Sequence, residues 1–78
     1  MAKPDLSEYL SAPVKKRSVV IAGHTTSVTL EDPFWNALKA QSAKEGIALG
    51  ALIDRVDQMR QVSLSSALRL YVLHLLEQ

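Results

Sequence analysis

Thr25-Thr26-Ser27-Val28-Thr29-Leu30-Glu31-Asp32-Pro33-Phe34-Trp35 is the stretch on which the fold turns. Its first half is rich in β-branched residues and alternates with a period of two, which predicts a strand. Thr26, Val28 and Leu30 then point to one side, and Thr25, Ser27 and Thr29 to the other. The first set is the more apolar and is expected to face a core. At Asp32-Pro33 the period changes. Aspartate is a favoured N-cap, and proline at the first helical position gives up only an N–H that has no helical partner.

Upstream, Arg17-Ser18-Val19-Val20-Ile21-Ala22 is a second β-branched run, so the strand region covers 17–30. The intervening Gly23-His24 fits a two-residue hairpin turn with glycine first, and it equally fits a single strand kinked at Gly23. Downstream, Phe34, Trp35, Leu38 and Ser42 share one side of helix A, expected over 33–45, and Gly46 supplies the left-handed residue that ends it. Helix B, expected over 48–60, buries Leu49, Leu52, Ile53, Val56 and Met59 and turns Asp54, Arg55, Asp57 and Gln58 outward. Its start lacks a capping side chain. Helix C, expected over 64–76, opens near Ser63 and carries Leu64, Ala67, Leu68, Tyr71, Val72 and Leu75, joined by Leu70, Leu73 and Leu76. That apolar face is too wide for one contact. Residues 1–14 contain two prolines and no period and read as a flexible arm, leaving 15–78 as the folded domain.

The chain has 78 residues, enough for one domain, and a domain of this size buries only about 60% of the surface its unfolded form exposes. It has no cysteine, so neither a disulfide nor a thiolate metal site can stabilise it. The remaining source of stability is a second copy, and a homodimer is expected. With 47% hydrophobic and 22% charged residues and no apolar run of spanning length, the composition is that of a folded, soluble, cytoplasmic protein, and no membrane role is expected. No segment reads as a signal peptide. The net charge of +1 is unevenly spread, because residues 1–30 carry four Lys/Arg against two acids, and Lys15-Lys16-Arg17 directly precedes the strand.

Strand, capped helix, glycine turn and amphipathic helix over Ser27 to Met59 resemble the ribbon-helix-helix fold of the Arc and methionine repressors. Ser18-Val-Val-Ile-Ala-Gly-His24, Thr26-Ser-Val-Thr-Leu-Glu-Asp-Pro-Phe-Trp35 and Leu64-Ser-Ser-Ala-Leu-Arg69 are similar to a group of short bacterial ribbon-helix-helix proteins. The resemblance covers roughly residues 17 to 76. It implies a mainly α fold with a short N-terminal β-ribbon, here with an additional C-terminal helix, assembled as a dimer.

A lone strand leaves its N–H and C=O groups without partners, so the resemblance implies that two subunits pair their strands antiparallel about a two-fold axis. The ribbon would enter the major groove of double-stranded DNA with Thr25, Ser27 and Thr29 facing base edges. Relatives of this group often carry a basic residue where this chain has Thr25. The resemblance further implies that N–H groups of Ile47, Ala48 and Leu49 grip a phosphate at the start of helix B, with Lys15, Lys16 and Arg17 on the flanking backbone. Val28, Leu30, Phe34, Trp35, Leu38, Leu52, Ile53, Val56, Leu68, Tyr71 and Val72 are then core or dimer-interface residues.

No catalytic constellation is recognisable. There is no Gly-rich phosphate loop and no carboxylate pair with a cleft to hold it, and His24 and His74 lack clustered partners at metal spacing. No enzyme activity, cofactor, metal or small-molecule substrate is expected. The leading function is a repressor acting as a dimer or a pair of dimers on a short palindromic or repeated operator. Two alternatives are an antitoxin-like module, using the arm or helix C on a protein partner, and a structural homodimer without DNA binding.

Overall fold

The computed structural model describes residues 6–78. A four-residue helix, α1 (Ser7–Leu10), precedes strands β1 (Val14–Ile21) and β2 (His24–Glu31), followed by helices α2 (Asp32–Glu45), α3 (Leu49–Met59) and α4 (Leu64–Leu76). Part of the N-terminal arm, residues 1–5, lies outside the described residues. Among those described, no helix is long and apolar enough to cross a membrane.

β1 and β2 form an antiparallel hairpin in the register Val14↔Glu31 through Ile21↔His24. The hairpin decides between the two readings of residues 17–30 and shifts the expected turn. β1 of the same chain pairs with one edge of β2, so the segment is a hairpin and not one kinked strand. The turn is Ala22-Gly23, one residue earlier than Gly23-His24, and both residues have positive φ, 51° and 82°. Two consecutive positive φ values are what a type I′ turn requires, and its twist matches that of the strands it joins. Ala22 accepts an unfavourable left-handed conformation because the eight-pair ladder behind it fixes the register.

An isolated hairpin is marginal in water, so its stability must come from one buried face. That face carries Val19, Ile21, Val28 and Leu30, each worth about 2 kcal/mol when removed from water. They join Leu38 of α2, Leu52, Ile53 and Val56 of α3, and Ala67, Leu68 and Val72 of α4 in one core cluster, with Phe34, Trp35 and Tyr71 half-buried at its margin. Ser42 is buried too, and its hydroxyl donates to Lys39 O at 2.9 Å.

The helix ends follow local chemistry with one exception. α2 closes at Gly46, which has φ 70°, as N–H groups of Gly46 and Ile47 donate to Ala43 O and Ser42 O. Ser63 caps α4 by accepting from Ser66 N–H at 3.2 Å. α3 begins after Ala48 with no side-chain cap. The exception is Asp32, read as the N-cap of α2, which is the first helical residue instead, while Glu31 stands in the cap position without a capping bond. The carboxylate of Asp32 is occupied by two cations of β1.

α3 approaches β1 through Gly50. A Cβ built there would lie 2.3 Å from the carbonyl oxygen of Val20. Alanine is the better helix former by about 1 kcal/mol, so propensity alone makes Gly50→Ala stabilising. The clash is with backbone, and it wins. Gly50→Ala is expected to lower the melting temperature by prising α3 from β1; an unchanged or higher value in a thermal melt would show that the contact is absent.

Candidate nucleic-acid interface

Burying one face of a two-stranded ribbon dictates the other. Cross-strand partners share a face, so Lys16↔Thr29, Ser18↔Ser27 and Val20↔Thr25 all point away from the helices. All six residues are exposed. The three residues expected to face bases therefore lie together on one surface, and β1 adds Lys16, Ser18 and Val20 to it. Those three could be assigned only once the hairpin register was known.

Thr29 is partly engaged. Ser65 of α4 accepts from its N–H at 3.2 Å and lies 3.3 Å from its hydroxyl. Thr25, Ser18 and Ser27 have no side-chain hydrogen bond within the described residues. Their hydroxyls can donate or accept, and a ribbon of two strands has the width the major groove admits.

The basic run divides by register. Lys15 and Arg17 are on the inner side, where Lys15 Nζ donates to Asp32 Oδ2 at 2.9 Å and Arg17 donates to Asp32 Oδ1 and, at 3.2 Å, to Leu30 O. The Arg17 guanidinium also lies over the Trp35 ring, 5.1 Å from its centroid. A second, parallel clamp holds the other strand: Arg69 of α4 donates to Glu31 Oε1 at 2.9 and 3.1 Å and lies over Phe34 at 5.8 Å. Arg17 is thus committed to holding the ribbon on α2, and Lys15 is half-exposed and paired. Lys16 alone of the three points outward, and it has no hydrogen-bond or ion-pair partner among the described residues.

Of the positions read as a phosphate grip, Ile47 has its N–H committed to Ser42 O and its side chain packed against the core. Ala48 and Leu49, with Gly50, form the start of α3, where the first N–H groups have no helical acceptor. They share a groove with Ser18, Val19, Val20 and Trp35, so this positive helix end borders the β1 edge of the ribbon. The opposite, β2 edge has a different character. Near the hairpin tip, His24 and Ser27 line a groove with Asp54 and Asp57. Asp57 accepts from Arg60 at 2.7 Å and Asp54 from Gln58 at 2.9 Å. Arg60 lines that groove as well and offsets Asp57, so the uncapped helix start gives the β1 side the clearer positive end.

No group of three His, Cys, Asp or Glu able to hold a metal occurs among the described residues. His24 sits at the exposed tip of the hairpin, whereas His74 lies in the last turn of α4, 2.7 Å from Gln78.

The arrangement of one polar ribbon backed by helices is that of small groove-reading proteins. The sequence profile of the ribbon-helix-helix domain matches residues 14–76. The chain belongs to the ribbon-helix-helix family, a DNA-binding and regulatory family. Among solved structures it is similar to an uncharacterized protein from Bordetella pertussis Tohama I, with 32% identity and a TM-score of 0.64. The match covers 81% of this chain and 55% of that one, so this chain corresponds to about half of its relative's length. No curated protein matches the sequence.

Both clamps lower carboxylate pKa values. Glu31 is held down first by its own backbone N–H and then by Arg69, and Asp32 first by Arg17 and then by Lys15. A depressed native pKa stabilises the fold above the unfolded value, and the contribution is lost as pH falls through the native one. Stability should therefore be steady above about pH 5 and decline as pH drops through about 4 and below. Asp32→Asn should flatten that acid limb. An identical pH profile for variant and wild type in denaturant titrations would show that the Asp32 clamp carries no stability.

Proposed function

We propose that this protein is a sequence-preferring DNA-binding regulator, acting as a repressor in the bacterial cytoplasm by occupying its site and catalysing no reaction. The observation that carries the reading is the outward ribbon face, where Thr25, Ser27, Ser18 and Lys16 are exposed while every alternate residue from Val19 to Ile21 and Val28 to Leu30 is core. The N–H groups at the start of α3 border that face on the β1 side and are the proposed phosphate contacts, together with Lys15, which would exchange its ion pair with Asp32 for a phosphate.

Base contacts and packing contacts should fail differently. Thr25→Ala and Ser27→Ala are expected to leave the melting temperature unchanged, to reduce discrimination between a selected site and random DNA, and to leave the salt slope alone. Lys15→Ala should weaken binding to all sequences alike and reduce the slope of log K against log salt by about 0.9. Val28→Thr should cost about 1–3 kcal/mol through a buried hydroxyl without altering preference. If Val28→Thr shifted site preference in a folded protein while Ser27→Ala did not, the ribbon would be facing the other way.

The homodimer belongs to the same proposal, and the helices offer it an apolar surface. Leu70, Leu73 and Leu76 form an exposed stripe along α4, at 57, 51 and 78% exposure, continuous at one end with Met59 and Val62. Together these five side chains expose on the order of 500 Å², the upper range for the largest apolar patch of a monomer. Arg60 at the rim of this patch is already paired with Asp57, so it brings little unbalanced charge to a contact with a second copy. A second copy is the occupant that fits, because the patch offers both a ridge, Leu70-Leu73-Leu76, and a groove beside it lined by Val56, Met59 and Ala67.

Leu73→Arg is expected to sediment as a single folded chain, with the wild type at twice that mass. A wild type that sediments as one chain at micromolar concentration would remove the dimer. A protein co-purifying on the stripe in place of a second copy would favour the antitoxin-like alternative.

A further inference from the structure

The hairpin leaves β1 with an outer edge of its own. In an antiparallel ladder, residues directly opposite one another either exchange both backbone bonds or both turn their N–H and C=O groups away. Thr29 is of the second kind, because its N–H donates away from β1 to Ser65 Oγ of α4 at 3.2 Å. Its partner Lys16 is then of the second kind too, and so, by alternation, are Ser18 and Val20. The close approach of Gly50 to the Val20 carbonyl, on the outer side of β1, obeys the same parity. α3 thus covers the β1 edge at Val20. At Lys16 and Ser18 the N–H and C=O groups face outward, with no backbone partner on that side among the described residues.

We propose that the β1 edge at Lys16 and Ser18 is a docking surface for an extended acidic segment of a partner protein, which adds a strand beside β1. The inference goes beyond the DNA-reading role proposed above and does not rest on it. The backbone pattern favours a strand over a nucleic-acid backbone, since the edge places carbonyl acceptors between its N–H donors and a phosphate can only accept. Lys16 selects for acidity. Its side chain is exposed and has no ion-pair partner among the described residues, whereas Lys15 and Arg17 are held by Asp32. A second copy of β1 would bring its own Lys15-Lys16-Arg17 run to the same edge, and like charges set against each other across strands are destabilising. A carboxylate opposite Lys16 supplies the complementary sign. The groove along this edge selects the rest. Val20, Trp35, Ala48, Leu49 and Ala51 line it with Ser18, so the alternate residues of the added strand, turned toward the groove, should be apolar.

The test is selection of short random peptides displayed on phage against the full chain, followed by titration of the recovered peptide, synthesised free, into isotope-labelled protein. Recovered peptides should alternate acidic and apolar residues and shift the amide signals of Lys16 and Ser18. Lys16→Glu should turn the preference to basic peptides. Ser18→Pro removes an outward N–H that the ladder does not use, a substitution edge strands accept, and should weaken the acidic peptide about tenfold. Thermal melts check that both variants fold, and methylating the peptide's own edge-facing amides makes the second test from the other side should Ser18→Pro unfold. The proposal is overturned if no peptide is retained above the naive library, if the recovered peptide shifts the α4 stripe instead, or if it binds Lys16→Glu as well as wild type. It is equally overturned if duplex DNA shifts the Lys16 and Ser18 amides and the acidic peptide does not, which would make the edge a phosphate contact. Failure of the DNA-binding role looks different: no duplex is retained, and the peptide results stand unchanged.

Discussion

Burial of the inner face of the hairpin is the constraint from which the rest of the molecule follows. Val19, Ile21, Val28 and Leu30 are in one cluster with Leu38, Leu52 and Leu68, and a strand's period of two then leaves Lys16, Ser18, Val20, Thr25, Ser27 and Thr29 no orientation but outward. A slip of one residue would put Lys16 and Ser18 in the core. The register is accordingly guarded at both ends: by the Ala22-Gly23 turn at the tip and by two arginine clamps at the base.

Those clamps explain how a chain with little spare positive charge distributes it. Glu31 and Asp32 are adjacent at the junction of β2 with α2, and each draws an arginine from a different element, Arg69 from α4 and Arg17 from β1. Phe34 and Trp35, one helical turn along, receive the faces of the same two guanidinium groups. The acidic pair and the aromatic pair thus work as one joint, fixing the angle at which the ribbon leaves the helices. Two arginines committed to this joint are withdrawn from any contact with a polyanion, and the outward face keeps a single lysine. Recognition on such a face depends more on shape, hydroxyl groups and methyl groups than on charge.

Pairing with β1 gives β2 a partner along one edge within its own chain. Each chain also completes its own core, with Leu30, Leu38, Leu52, Ile53 and Leu68 fully buried. The apolar stripe on α4 is exposed, and it lies on the helices, away from the outward face of the ribbon.

Much of this was legible in the sequence because it is governed by neighbours close along the chain. Alternation in 25–30 separated Thr25, Ser27 and Thr29 from Val28 and Leu30, and the cores of α2, α3 and α4 followed from helical spacing. Gly46 and Ser63 ended and began helices through bonds spanning only a few residues. What the tertiary structure alone decided were the pairings between distant segments. Whether residues 17–30 fold back as a hairpin or run on as one kinked strand depends on a loop conformation, two positive φ values at Ala22-Gly23, that an alanine does not advertise. Whether Lys15, Lys16 or Arg17 is free depends on Asp32, 15 residues from Arg17, and the fate of Glu31 depends on Arg69, 38 residues away. Gly50 lacks a Cβ because of the Val20 carbonyl, a neighbour in space that no local pattern names. Periodicity is a property of one segment and can be read from it, whereas the partner of a strand, a cation or a glycine is settled only when the segments meet.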